Sequence, residues 1–197
     1  MDRITLKKSL RKAAKAARME LTRDEIETKS LQIFESWKSA FPIDHLSLIH
    51  LFLSIEKFNE VNTQPFLEHI QSFSPKVLPV VPVTDFEQDI LTHIAISPEI
   101  EIERNDWGIP EPKIHKRKVS PSELDMVLVP LLAFDKHCNR LGYGKGHYDN
   151  FLVQTRPDCL KIGICFEVGK LDQDIPVEPH DFPLDAVITE AGIYVKQ

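Results

Sequence analysis

The sequence predicts an α/β layer fold with a mainly parallel sheet. Three observations point to it. Segments with apolar residues at helical spacing alternate along the chain with short, nearly continuous apolar runs. Those runs lack the polar alternation of a strand with one wet face, so they read as strands covered on both sides. The chain has 197 residues, enough for one good core rather than two. The expected organisation is therefore one domain over residues 1–197, with N-terminal helices over 1–40 packing on an α/β body.

The elements follow in order. Leu6, Leu10, Ala13, Ala14 and Ala17 share one helical face, which predicts a helix over residues 5–19. Thr22 and Glu25 form a capping-box pattern that opens a second helix. Ile26, Ile33, Phe34 and Trp37 lie on its buried side, and Pro42 falls beyond its end. Residues 46–53 read as a buried strand, interrupted by Ser47 and His50. Thr63 before Pro65 starts a third helix, with Phe66, Leu67, Ile70 and Phe73 as its apolar face. Further strands are expected at 77–81, 91–96, 126–132, 161–166 and 186–189. Pro79, Pro82 and Pro130 are awkward within central strands, so they are expected at strand ends or bulges. Residues 97–123, charged and dotted with proline, read as a long loop or short hairpin. There is no repeat, no low-complexity tract and no linker.

Composition narrows the function classes. Hydrophobic residues make up 42% and charged residues 27%, as in ordinary globular proteins. No apolar run approaches the roughly 18 residues of a membrane span, and the first twenty residues hold no signal-peptide core. Cys138, Cys159 and Cys165 are odd in number and form no CxxC, which points to a reducing compartment and a cytoplasmic setting. The net charge of −6 conceals an asymmetry: residues 1–20 hold seven Lys or Arg, while the other 177 residues hold 17 basic and 28 acidic. An acidic body argues against a nucleic-acid surface; a local basic patch suits a small anion. No HExxH or zinc-spaced Cys/His cluster occurs, and His50 reads as a satisfied core histidine.

The strongest chemical signal is Arg140-Leu141-Gly142-Tyr143-Gly144-Lys145-Gly146-His147-Tyr148-Asp149. It follows the strand at 126–132 and a turn at 134–139, and it opens a helix containing Phe151 and Leu152. Three of the seven glycines fall here. Alternating glycines let backbone N–H groups approach a phosphate, and Lys145 and Arg140 add full charges. A loop at the carboxyl end of a strand lies where α/β sheets bind ligands. The spacing matches neither a Walker A motif nor a dinucleotide fingerprint. The residues by themselves therefore reach a phosphate or nucleotide site and stop there.

This stretch, with Val129-Pro130-Leu131-Leu132-Ala133-Phe134-Asp135 before it, closely resembles the signature of the 5-formyltetrahydrofolate cyclo-ligase family. Three weaker pieces agree in order. Lys7-Lys8-Ser9-Leu10-Arg11 is similar to the family's Lys-x-x-Leu-Arg. Phe52-Leu53-Ser54 with Glu60-Val61-Asn62-Thr63 is similar to its substrate segment, and Trp107-Gly108-Ile109-Pro110-Glu111-Pro112 to its tryptophan and proline motif. The likeness runs on to Asp181 and Asp185.

The resemblance implies a single Rossmann-like, three-layer domain, akin to the sugar-phosphate isomerase and CoA-transferase group. It implies conversion of 5-formyltetrahydrofolate and ATP to 5,10-methenyltetrahydrofolate, ADP and phosphate through a phosphorylated formyl group. The chain is expected to be a monomer or weak dimer with no nucleic-acid or membrane partner. Carried over residue by residue, Lys7, Lys8, Ser9, Leu10 and Arg11 match the N-terminal ATP segment. Lys7 and Arg11 are expected to face the phosphates, and Lys8, Lys12 and Lys15 the solvent. Arg140, Leu141, Gly142, Tyr143, Gly144, Lys145, Gly146, His147 and Tyr148 match the ATP loop. Arg140 and Lys145 are the expected catalytic charges. Leu53 and Glu60, with Tyr143 to His147, match folate positions; Trp107 is expected either to wall the folate pocket or to sit in the core. Asp149 and Asp181 match ligands of Mg²⁺. Three departures stand out: His147 replaces a usual aromatic, Cys138 replaces a usual Gly, and the interval from Leu53 to Glu60 is longer than in some relatives. The alternative is a diverged nucleotide- or folate-binding protein of the same fold without cyclisation.

Overall fold

The computed structural model describes residues 2–85, 90–105, 108–114 and 116–196. Helix α1 (Arg3–Met19) is capped by Asp2, whose carboxylate accepts from the Thr5 N–H at 2.9 Å. Helix α2 (Arg23–Ala40) opens on the expected capping box of Thr22 and Glu25. Strand β1 (Leu48–Leu51) follows, then a 3₁₀ turn and α3 (Gln64–Gln71), with Pro65 in its first turn. The chain continues through β2 (Leu78–Asp85), β3 (Ile90–Ala95), β4 (Ile102–Arg104), β5 (Pro110–Pro112), β6 (Arg117–Lys118) and β7 (Met126–Pro130). Last come β8 (Ala133–Phe134), β9 (Arg140–Leu141), α4 (His147–Leu152), β10 (Leu160–Ile164), β11 (Ala186–Thr189) and β12 (Gly192–Val195).

Eight strands form one sheet in the order β12-β11-β10-β7-β1-β2-β3-β6. Four of its pairings, from β11 to β2, are parallel; the three at the margins are antiparallel. The fold is thus α/β with a mixed, mostly parallel sheet. Side chains alternate across it as the pleat requires. Ile49, Leu51, Met126, Leu128, Ile162, Ile164 and Ile188 pack with Ile33, Trp37, Phe66 and Ile70 of α2 and α3. Leu48, Val80, Val127, Val129 and Val187 pack on the opposite side with Phe151 and Leu152 of α4. Both faces are covered, which is why the strands read as unbroken apolar runs.

The prolines do not all lie at ends. Pro79 and Pro82 are inside β2, where Pro79 sits opposite Ile49 and its carbonyl accepts from the Ile96 N–H at 2.9 Å; Pro130 closes β7. Residues 97–123 are not one loop. They contain the β4–β5 hairpin, β6 on the sheet margin and a 3₁₀ turn. His50 is buried as expected, and among the described residues neither ring nitrogen has a hydrogen-bond partner. Among the described residues no helix is long and apolar enough to cross a membrane.

Candidate active site

The Gly-rich loop leaves the carboxyl end of β7 through the β8–β9 hairpin. Buried Asp135 fixes the hairpin turn: its carboxylate accepts from the N–H groups of His137 and Asn139 at 3.0 Å and of Ile175 at 2.9 Å. Cys138 in that turn has φ of 59°, the left-handed region a glycine would enter freely. Within the loop, Gly144 (φ 90°) and Gly146 (φ 75°) are left-handed as well. The Cβ that Gly144 lacks would lie 3.4 Å from the Arg11 guanidinium carbon, so helix α1 closes directly over the loop. Arg11 also donates from Nε to the Gly142 carbonyl at 3.1 Å.

A cavity of 450 Å³ opens between α1, this loop and the segment before β11. Lys7, Arg11, Lys145, Asp149 and Asp181 all line it. The buried Lys7 ammonium donates to Asp181 at 2.5 Å and to Glu178 at 2.8 Å. Burial alone would push its pKa down, but the two carboxylates outweigh that and hold it above the ordinary lysine value. Asp181 is held below the usual carboxylate range: burial opposes the shift, and bonds from Lys7 and the Glu178 N–H prevail. Asp149 accepts on Oδ1 from Arg140 at 2.7 Å and from the Phe182 N–H at 3.1 Å. Asp149 therefore touches the residue that follows Asp181 in the chain. Glu178, His180 and Asp181 each offer a ligand atom within 4.8 Å of the others.

A second cavity, of 560 Å³, lies between α2, the stretch after β1 and the β4–β5 hairpin. Leu53, Asn62, Thr63, Ile26 and Ile102 line it, together with Glu60. The chain folds Glu60 back beneath β1 through Ser54, whose hydroxyl donates to the Val61 carbonyl at 2.6 Å and accepts from the Thr63 N–H at 2.7 Å. Glu60 is buried and accepts from the Ile55 N–H at 2.9 Å. Its other oxygen accepts from the Tyr143 hydroxyl at 2.5 Å, and that hydroxyl in turn accepts from Arg18 at 2.5 Å. Tyr143 also lines the first cavity, so it links the two. Burial raises the Glu60 pKa, against the bonds from Tyr143 and Ile55 and the charge of Arg18. Burial and the Glu60 charge raise the Tyr143 phenol, which stays neutral.

The fold brings Lys7, Arg11, Arg140, Gly142 to His147, Tyr148, Asp149 and Asp181 to one cavity, and Leu53 and Glu60 to the next. Lys8 and Ser9 are exposed on α1 and line neither. Leu10 and Leu141 pack against Ala14, Leu132 and Ile175 in a small core cluster. Trp107 lies outside the described residues.

A profile of the 5-formyltetrahydrofolate cyclo-ligase family matches residues 3–190. The chain belongs to this family. It is 34% identical to the 5-formyltetrahydrofolate cyclo-ligase of Escherichia coli over 160 residues, covering 78% of this chain and 83% of that one. A probable 5-formyltetrahydrofolate cyclo-ligase of Schizosaccharomyces pombe is 38% identical over 97 residues, 43% of this chain and about half, 48%, of its own length. The structure of Aquifex aeolicus 5,10-methenyltetrahydrofolate synthetase superposes with a TM-score of 0.80 at 26% identity, covering 96% of this chain and 92% of that one. Two features of these cavities went unread in the sequence. Glu178 stands three residues before Asp181, and Arg18 stands seven after Arg11, two helical turns along the same face. That spacing was the available signal for Arg18.

Proposed function

We propose that this chain carries out the reaction of its family, converting 5-formyltetrahydrofolate to 5,10-methenyltetrahydrofolate, with ATP consumed to ADP and phosphate. The observation that carries the reading is Tyr143, which lines the basic loop cavity and hydrogen-bonds the acidic group of the neighbouring one. One cavity carries Lys7, Arg11 and Lys145 for the phosphates; the other carries a buried carboxylate for the N–H groups of a reduced pterin.

The formyl oxygen attacks the γ-phosphorus and ADP leaves. N10 of the folate then attacks the formyl carbon, loses its proton, and phosphate departs with the former formyl oxygen. Phosphorylation turns a poor leaving group into a good one, so the protein needs no covalent nucleophile; its work is positioning and charge neutralisation. Lys145 is exposed at the mouth of the loop cavity, where it can follow the transferring phosphoryl group. Arg140 is committed to Asp149 and the Phe182 carbonyl, so in this reading it braces the carboxylate rather than meeting ATP first. Both Asp149 bonds fall on Oδ1, and Asp149 and Asp181 offer the hard oxygens that suit Mg²⁺. Bound there with ATP, the ion would offset phosphate charge.

The assembly in this reading is a monomer or weak dimer, and three free, buried cysteines agree with a cytoplasmic setting. The test is turnover of 5-formyltetrahydrofolate with and without Mg-ATP, following methenyl absorbance. Absorbance that rises equally without ATP, or not at all, overturns the reading.

A further inference from the structure

Arg18 is a buried cation at the end of α1, 5% exposed, with no carboxylate of its own to pair with among the described residues. Its Nη2 donates to the Tyr143 hydroxyl at 2.5 Å, and its guanidinium carbon lies 5.5 Å from that ring's centroid. Its Nε is buried and has no hydrogen-bond partner among the described residues. A charge is costly to bury with so few partners, so its position calls for a compensating role. The space beside Arg18 and Glu60, among Phe52, Leu131 and Cys165, amounts to 10 Å³, about one water at most. Substrate does not reach the guanidinium there; Arg18 acts on the site through its bond to Tyr143 and through its charge on Glu60.

The direction of the hydrogen bonds matters. A phenol has one proton. Arg18 can only donate, so it fills an acceptor site of the Tyr143 oxygen and sends the single proton to Glu60. With Tyr143 and the Ile55 N–H each on one oxygen, the Glu60 carboxylate is oriented and still has lone pairs for a ligand.

The geometry points to Arg18 as the positioning residue for folate recognition: it aligns Tyr143 across the junction of the two cavities and keeps Glu60 an oriented hydrogen-bond acceptor. This rests on the reading of Glu60 as the pterin-binding carboxylate. Its electrostatic side is consistent. Burial pushes the Glu60 pKa up, and Arg18 opposes that rise. The other titratable groups near Glu60 are accounted for. Tyr143 on the loop and Tyr148 on α4 are both raised by burial and remain neutral phenols. Cys165 beyond β10 is pushed up to about 12 and remains a thiol. Across the cavity stand Arg23 and Glu27 of α2, with Glu56 and Arg104, which pair with each other at 2.8 Å.

Steady-state kinetics of Arg18→Met and Arg18→Lys across pH, varying each substrate, test this. Arg18→Met should raise the KM for 5-formyltetrahydrofolate about ten-fold and leave the KM for ATP unchanged. It should also move the acid limb of kcat/KM to higher pH. Arg18→Lys keeps the charge but loses the fork, so it should restore the acid limb while the folate KM stays high. Glu60→Gln should abolish that limb.

A second readout does not depend on the reaction. The Glu60 carboxyl, assigned with Glu60→Gln, is titrated by ¹³C NMR in the ligand-free protein; Arg18→Met should raise its midpoint and Arg18→Lys should not. An Arg18→Met variant with wild-type Glu60 titration, or with both KM values raised alike, overturns the proposal. If Arg18→Met does not fold, Arg18→Lys decides, and an unchanged folate KM overturns it. Failure of the wild-type chain to turn over 5-formyltetrahydrofolate would sink the functional reading instead and leave the titration to judge Arg18.

Discussion

The Lys7 ammonium stands 2.5 Å from the Asp181 carboxylate, across 174 positions of sequence. With Glu178 at 2.8 Å it ties α1 to the segment before β11 and closes one wall of the loop cavity. Lys7→Met should therefore raise the KM for ATP by about ten-fold or more, as loss of a charged hydrogen-bond partner does, and leave the KM for the folate unchanged. It should also change the pH dependence of stability. Asp181 and Glu178 have depressed pKa values in the folded state. Their contribution is present above the unfolded carboxylate pKa and is lost as pH falls through the folded values. The Tm gap between wild type and variant should be wide at neutral pH and close below about pH 4. A gap independent of pH would show that Lys7 contributes packing alone.

Asp149→Asn tests the other carboxylate. Loss of turnover and a higher magnesium requirement follow from the proposed role. The structure adds a stability cost that a bare metal ligand would not carry, because Arg140, with 4% of its side chain exposed, pairs with Asp149 at 2.7 Å. Removing one partner leaves a nearly buried cation. Since Asp149 itself is 22% exposed, the cost is set below the fully buried case, at about 1–3 kcal/mol. Urea denaturation measures it. A variant as stable as wild type would mean that Arg140 finds water instead.

Local signals were legible where the physics is local. The Thr22–Glu25 capping box starts α2 where expected, and Pro65 marks the first turn of α3. The buried strands were visible because helices cover both faces of the sheet. The two-residue strands β8 and β9 were not, since their pairing depends on Asp135 collecting backbone N–H groups from residues as distant as Ile175. The loop motif placed most of the cavity lining. Which of seven N-terminal basic residues are buried was beyond it. Lys7 and Arg18 are buried by partners 171 to 174 and 125 positions away, and an amphipathic pattern says nothing about those. His50 shows the opposite failure: its apolar surroundings were plain, and its lack of hydrogen-bond partners among the described residues was not.

Two glycines of the loop should respond differently. Gly144 and Gly146 both have positive φ, but a Cβ at Gly144 would press on Arg11 at 3.4 Å, whereas one at Gly146 meets nothing within 4 Å. Asparagine tolerates the left-handed region better than other side chains. Gly146→Asn should keep near-native stability, within about 1 kcal/mol. Gly144→Val combines backbone strain of about 1–2 kcal/mol with displacement of Arg11, and should abolish measurable ATP binding by calorimetry. Equal ATP affinities in the two variants would refute the placement of α1 over the loop.

The last prediction concerns the His50–His93 pair, which packs against Phe151 of α4. His50 sits mid-sheet between Val80 and Val127, with its ring 5.1 Å from that of His93. Burial, helped by the charge His93 would carry, holds the His50 pKa well below the ordinary value; burial alone brings His93 to about 4. In the unfolded chain both take up protons near pH 6.5. Between those values the unfolded state binds more protons, so stability falls as pH drops from about 6.5 toward 4. His50→Leu replaces two ring nitrogens that have no partner among the described residues by an apolar side chain of similar size, a change expected to be neutral or stabilising by about 1 kcal/mol at pH 7. It also removes one of the two proton uptakes, so its advantage should grow by about 2 kcal/mol between pH 7 and pH 5. Urea denaturation at the two pH values gives the difference directly. Parallel loss of stability in wild type and variant would mean that His50 does not titrate on unfolding and that acid sensitivity lies elsewhere.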